Sequence, residues 1–338
     1  MNISFLRGGF LFIIKLQIGG RRSVHAPASG VKPERKVPPQ KEPADPMWKR
    51  YLFPESLQEA VQALGEAHGR ALPVAGGTDL LLEIQQGHRP PVDTLLDVTR
   101  IPELNRLERQ GNALFIGAAI PVGRIAASEP VNRFATALAE ACGQIGGPQV
   151  RNVATLGGNV AHALPAADGM IALVALGAEA WVASPDGVRQ VPLLSLFRGP
   201  GVSALDLTHE ILVGFSLPVV EQGAGSAFAR VMRPQGVALP ILNMAVWLRR
   251  EGNVVAEVRL TAGPSGSTPR RAEKIEEFLQ GKTPLEEGVL SACKALLPQC
   301  FAFRTSPARA TAEYRYHLSE VLLEKVLLTA WKRAEECV

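Results

Sequence analysis

The sequence predicts an α+β protein of two domains, and three features carry that expectation. A short apolar strand over 71–75 runs into a glycine pair and then an amphipathic stretch beginning at Leu80, and a second glycine pair stands at Gly157-Gly158. Residues 221–226, Glu-Gln-Gly-Ala-Gly-Ser, loosen the chain after Leu217-Pro218 as a linker would. Beyond that linker, strand-like runs come first and a long helical periodicity comes last. A chain of 338 residues is longer than one average domain and shorter than three.

The first 46 residues stand apart. Their apolar run at 9–14 is interrupted by Lys15 and is too short to span a bilayer, so no stable membrane insertion is expected. Val24-His25-Ala26 resembles a cleavage site, but the preceding basic and apolar regions are weak for a signal peptide. A disordered or mis-assigned extension over 1–46 is the expectation, with the folded chain starting near Met47.

From Ser56, the residues Leu57, Ala60, Val61 and Leu64 have helical spacing, with Ser56 and Glu59 as a capping box and Gly65 or Gly69 as the stop. Residues 71–75 read as a strand, Gly76-Gly77-Thr78-Asp79 as a turn, and Leu80 as the start of a helix capped by Asp79. Strands are expected at 94–98 and 113–118, and a helix over 131–143. The apolar run 170–176 leads to a strand at 180–183 and a Pro185-Asp186-Gly187 turn. In the second domain, 228–232, 242–248 and 254–262 are apolar-rich or strand-like, and Leu318, Val321, Leu322, Val326, Leu327 and Trp331 mark a helix over 313–336.

Composition removes several classes of function. The formal charge is +4, yet residues 1–46 hold eight Lys or Arg against three Asp or Glu, so the remainder is close to neutral. With no aromatic-studded basic stripe there, nucleic-acid binding has no support. Cys142, Cys293, Cys300 and Cys337 are scattered, with no C-x-x-C pair and no histidines at zinc spacing. No metal site is expected from them, and their scarcity points to the cytoplasm.

The glycine clusters carry the chemistry. Missing side chains at Gly76-Gly77 let backbone N–H groups close on an anionic oxygen, and Thr78 adds a hydroxyl. For this dipeptide alone an ordinary tight turn is the plainer reading. Thr155-Leu156-Gly157-Gly158-Asn159 repeats the logic, and two such loops could clasp the two phosphates of one pyrophosphate. Neither loop is G-x-G-x-x-G or a P-loop, which leaves a different dinucleotide geometry.

Leu72-Pro73-Val74-Ala75-Gly76-Gly77-Thr78-Asp79-Leu80, the run from Val150 through Thr155-Leu156-Gly157-Gly158-Asn159, and Pro165-Ala166-Ala167-Asp168 together resemble the flavin subunit of the xanthine dehydrogenase and carbon monoxide dehydrogenase family. The resemblance continues through Glu210-Ile211-Leu212, Phe228-Ala229-Arg230-Val231-Met232-Arg233 and Thr311-Ala312-Glu313-Tyr314-Arg315. It implies a two-subdomain FAD-binding fold of the p-cresol methylhydroxylase type over 47–222 and a smaller α+β domain over 226–334. The implied FAD contacts are Val74, Ala75, Gly76, Gly77, Thr78, Asp79 and Leu80, then Thr155, Leu156, Gly157, Gly158 and Asn159, with Asp168, Leu212, Ile145 and Arg230.

Two of these have plainer readings: Asp168 as a loop aspartate capping a helix, and Arg230, where the family often has a lysine, as a surface residue on an edge strand. His162 is given no role, and Tyr314 and Arg315 are expected to pack and to pair locally. The sequence departs from the family after Arg233, where Gln235-Gly236-Val237-Ala238-Leu239 lacks the usual acidic residue, which leaves the electron acceptor open.

The resemblance further implies a large molybdopterin-binding subunit and a small subunit with [2Fe–2S] clusters, assembled as a dimer of heterotrimers. This chain has neither the cysteine-rich insertion found in 4-hydroxybenzoyl-CoA reductases nor a molybdenum-cofactor motif. Two rivals stand beside it: a stand-alone flavin oxidoreductase of the same superfold, and a nucleotide-binding protein that lost its flavin.

Overall fold

A computed structural model describes residues 46–233, 239–307 and 309–336. The expectations for the N-terminal extension, for residues 235–238 and for Cys337 lie outside the described residues.

The chain opens with β1 (Trp48–Leu52), α1 (Leu57–Ala67), β2 (Ala71–Val74), α2 (Leu80–Gln85) and β3 (Val92–Asp97). Next come β4 (Leu107–Gln110), β5 (Ala113–Gly117), α3 (Val122–Ala126), α4 (Glu129–Phe134), α5 (Thr136–Gln144), α6 (Pro148–Arg151), α7 (Leu156–Ala161) and α8 (Asp168–Ala175). After β6 (Glu179–Ser184) and β7 (Gly187–Pro192) stand a short pair, β8 (Phe197–Gly199) and β9 (Val202–Ser203), and then β10 (Ile211–Pro218). The chain finishes with β11 (Ala224–Val231), β12 (Leu242–Glu251), β13 (Val254–Gly263), β14 (Arg270–Arg271), α9 (Glu273–Leu279), α10 (Val289–Cys300) and α11 (Ala312–Glu336).

Among the described residues, three larger sheets stand beside the two-stranded β8-β9 pair. β1, β3 and β2 form a parallel sheet with β3 in the middle. The second sheet is antiparallel in the order β4-β5-β10-β6-β7, and the third is antiparallel in the order β11-β12-β13-β14. The mixture of helix and strand fits the expected α+β class.

Local signals explain most boundaries. Ser56 Oγ accepts from Glu59 N at 3.2 Å and begins α1. The return bond of the capping box goes one residue further back, from Glu55 N to Glu59 Oε2 at 2.8 Å. His68 ends α1 in the left-handed conformation. The helix expected over 131–143 divides at Ala135, whose backbone leaves helical angles. The cause is tertiary: Ser226 Oγ on β11 accepts from Ala137 N at 3.1 Å, capping α5 from a strand far along the chain.

The third sheet is buried on both faces. Phe228, Ala245 and Trp247 belong to a hydrophobic core built mainly from residues 60–219. Their neighbours Ala227, Ala229, Met244, Val246 and Leu248 belong to a second core completed by α9, α10 and α11. The period-2 alternation of a strand divides these side chains between the two cores. This is why 242–248 reads as one apolar run rather than as alternation.

A polar clamp crosses the same joint. On α5, Glu140 Oε2 accepts from Phe228 N at 2.8 Å and Glu140 Oε1 pairs with Arg333 Nη2 of α11 at 2.5 Å. Arg333 Nη1 also donates to Ser226 O at 2.7 Å. Glu140→Ala strands the Phe228 amide and frees Arg333, so denaturant melts should show a loss of about 1–3 kcal/mol, more than exposed ion pairs give.

Candidate functional site: two glycine turns and a buried carboxylate

The two glycine clusters meet. A Cβ on Gly76 would lie 2.2 Å from Val153 O and 2.8 Å from Ala154 Cα, so the turn after β2 rests directly on the backbone entering the second cluster. Only a residue without a side chain permits that approach. On the far side of the second cluster, a Cβ on Gly157 would lie 2.6 Å from the Ala118 carbonyl oxygen, and Gly157 N donates to that oxygen at 2.9 Å.

The clusters differ in how their N–H groups are used. Thr155 Oγ1 caps α7 by accepting from Gly158 N at 3.1 Å, and Asn159 N donates to Thr155 O at 3.0 Å. Gly157-Gly158 therefore belong to the first turn of a helix and not to an open loop, and their donors serve the fold. Among the described residues, the backbone N–H groups of Gly76, Gly77, Thr78, Asp79 and Leu80 have no hydrogen-bond acceptor within the protein. That row of donors is what an anionic oxygen requires.

Asp79 does not cap α2 with its side chain. Its backbone is in the right-handed helical region, whereas a capping side chain reaches the free amides from an extended residue. The carboxylate lies 3.8 Å from His162 Nδ1, and His162 Nε2 meets Glu83 Oε1 at 2.8 Å. His162 thus ties α7 to α2, a role the sequence did not suggest. Burial pulls the Glu83 carboxyl upward, but the bonds from His162 and Arg89 outweigh it and hold it below the usual carboxylate range.

Of the other expected residues, Ile145 ends α5, and its carbonyl accepts from Arg151 Nη1 at 3.2 Å, which ties it to α6 just ahead of the second cluster. Leu212 is buried on β10 beside Val213, whose carbonyl accepts from Ala118 N at 2.9 Å. Asn159 Oδ1 accepts from Met170 N at 3.2 Å and links the second cluster to α8.

Asp168 is the first residue of α8 and only 4% exposed. Its Oδ2 pairs with Arg230 Nη1 at 2.5 Å and its Oδ1 accepts from Asn243 Nδ2 at 2.7 Å. Burial pushes its carboxyl up to about 6, against the pull of Arg230 and Asn243. Arg230 stands on an edge strand as expected, yet its side chain is buried, because the pairing with Asp168 draws the guanidinium inward. Asn243 was not singled out in the sequence. The available signal was a lone carboxamide inside the apolar run 242–248.

Tyr314 and Arg315 are also corrected. Tyr314 is exposed, and Arg315 is buried with its Nε unpaired, because helical spacing places Arg315 on the same face as Leu318, Ser319 and Leu322. Among the described residues, no group of three or more His, Cys, Asp or Glu could hold a metal ion, and no helix is long and apolar enough to cross a membrane.

A glycine turn with a row of free amide donors, resting on the backbone that enters a second glycine cluster, is the arrangement of an anion- or nucleotide-binding class of protein. Residues 46–220 match the family described as FAD binding domain in molybdopterin dehydrogenase, and residues 226–330 match the CO dehydrogenase flavoprotein C-terminal domain. The chain is 32% identical over 286 residues to the carbon monoxide dehydrogenase medium chain of Hydrogenophaga pseudoflava, covering 84% of this chain and 97% of that one. It is 31% identical over 277 residues to the xanthine dehydrogenase FAD-binding subunit of Escherichia coli O157:H7, covering 81% and 93%.

Solved structures agree with this. A chain of the Hydrogenophaga pseudoflava carbon monoxide dehydrogenase lacking the Mo-pyranopterin moiety superposes with a TM-score of 0.77 at 29% identity, over 84% of this chain and 97% of that chain. A chain of quinoline 2-oxidoreductase from Pseudomonas putida 86 gives 0.77 at 26% identity, over the same shares. The chain belongs to the FAD-binding medium subunits of the molybdopterin dehydrogenases.

A methyl group at Gly76 would drive the two clusters apart. Gly76→Ala should lower stability by about 1–3 kcal/mol and weaken binding of adenine dinucleotides, read by thermal melts with and without added FAD.

Proposed function

We propose that this chain is the FAD-carrying electron-transfer subunit of a molybdopterin-dependent hydroxylase or dehydrogenase, in which electrons leave [2Fe–2S] clusters on a partner subunit for an acceptor by way of the FAD held here. The observation that carries the reading is the contact of Gly76 with the Val153–Ala154 backbone, which sets a glycine turn bearing five free amide donors against the start of α7. A phosphate group of a dinucleotide is the ligand that such a turn suits.

The residues present fit the group. The amides of Gly76, Gly77, Thr78, Asp79 and Leu80 supply donors for phosphate oxygens, while the Thr78 hydroxyl donates to Asp79 Oδ2 at 3.4 Å. Val74 and Ala75 at the end of β2 bring that turn into place, and it rests on the Val153–Ala154 backbone that leads into Thr155, Leu156, Gly157, Gly158 and Asn159. Ile145, Leu212, Asp168 and Arg230 complete the set of contacts. Bound FAD supplies both one-electron and two-electron redox chemistry, so no side chain of this protein is assigned as a catalytic acid or base.

The division into residues 47–222, which hold the cofactor, and residues 226–334 is part of the same reading. So are a large molybdopterin-binding subunit, a small [2Fe–2S] subunit, their assembly as a dimer of heterotrimers, and a cytoplasmic location. The medium-chain and subunit names of the relatives support this assembly.

The full-length chain should purify yellow, with an oxidised-flavin absorption spectrum, and Gly158→Glu should lose it. A colourless wild type that takes up no added FAD would overturn the reading. A yellow chain that oxidises a small substrate by itself would favour a stand-alone flavin oxidoreductase instead.

A further inference from the structure

We propose that Asn243 is a positioning residue of the flavin site, which together with Arg230 holds the Asp168 carboxylate charged and in one orientation; the proposal rests on the FAD reading above. Asp168 is too buried to keep a charge without donors on its oxygens. Each oxygen has one: Arg230 Nη1 on Oδ2 at 2.5 Å and Asn243 Nδ2 on Oδ1 at 2.7 Å. Neither donor belongs to the part of the chain that carries Asp168. They stand on β11 and β12 of the third sheet, so this carboxylate is fixed across the joint between the two cores.

The carboxamide is locked. Asn243 is fully buried, and the second hydrogen of its Nδ2 goes to Ala166 O at 3.0 Å. A flipped amide would set its oxygen against two acceptors. Among the described residues, the other elements packed on α8 place uncharged groups near Asp168. From α5 comes Cys142, a buried thiol that burial and the Asp168 charge push up, and from α7 comes Asn159, already bonded to Met170 N. From β13 comes Gly263, where a Cβ would lie 3.0 Å from Asn243 Oδ1. Of the groups that act on Asp168 among the described residues, Arg230 supplies the positive charge and Asn243 the remaining donor.

A charged Asp168 keeps further acceptor capacity on both oxygens for a hydroxyl of bound FAD, and a protonated one loses an acceptor. The state of this group, titrating at about 6, therefore governs how firmly FAD is held. Losing Asn243 makes the charged form harder to keep.

Asn243→Leu keeps the volume and removes the donor. FAD affinity of the full-length chain, followed by flavin fluorescence across a pH range centred on the titration near 6, is the first measurement. The midpoint at which affinity falls should move up by about one pH unit, giving a loss of about fivefold at the wild-type midpoint, approaching about tenfold further into acid and staying within about twofold in alkali.

The Tm of the cofactor-free protein is the second. Because the folded pKa of Asp168 is raised above its unfolded value, protonation restores stability as pH falls through about 6. The Tm deficit of the variant should accordingly be greatest in alkali and shrink on acidification. Asn243→Asp should rescue binding on the acid side only, where the paired carboxylates share a proton that can again be donated.

An affinity loss equal at every pH, with a Tm deficit that pH does not move, would overturn the proposal and leave Asn243 a structural residue only. Wild type that takes up no FAD overturns the flavin role along with the FAD reading. The pH dependence of the Tm deficit would then still decide whether Asn243 holds Asp168 charged.

Discussion

Everything about this site depends on one missing atom. With hydrogen in place of a methyl group at Gly76, the turn after β2 comes within van der Waals reach of the Val153 carbonyl, and two segments nearly eighty residues apart become one surface. The rest follows from that approach. α2 and the end of α7 are tied by Glu83 and His162, while Asn159 passes the connection on to α8, where Asp168 stands. Close packing leaves no room for slack, so a change at any of these contacts is felt at the others.

Much of this was legible because it is local. Ser56 with Glu59 began α1, the glycine pairs marked their turns, and the apolar runs gave β3, β5, β12 and β13 within a few residues. Local signals fail where the partner is distant. Nothing between Val131 and Gly143 announces the break at Ala135, because the group that caps α5 is Ser226. The Asp79 side chain looked like a cap and is instead turned toward His162, a neighbour brought by the fold.

The same reason explains the mixed fate of the buried charges. A sequence shows that Asp168 and Arg230 exist but not that they pair, and Arg230 on an edge strand reads as a surface residue until α8 is laid over it. Asn243 was hidden by its company, since six apolar residues around a carboxamide look like strand and nothing more. Burial changes what such a residue means: a carboxamide with no access to water is retained with a partner, and here the partner is a carboxylate.

The doubly buried third sheet has a consequence for the evolution and engineering of the chain. Phe228 and Trp247 point into the core built by the residues before Val219, and burying one such aromatic contributes about 1.5–3 kcal/mol. Cutting the chain ahead of β11 would bare that apolar face on one fragment and open the first core on the other. Two matching stretches that look like exchangeable modules in sequence thus share a seam, and a graft between relatives has to carry both sides of it.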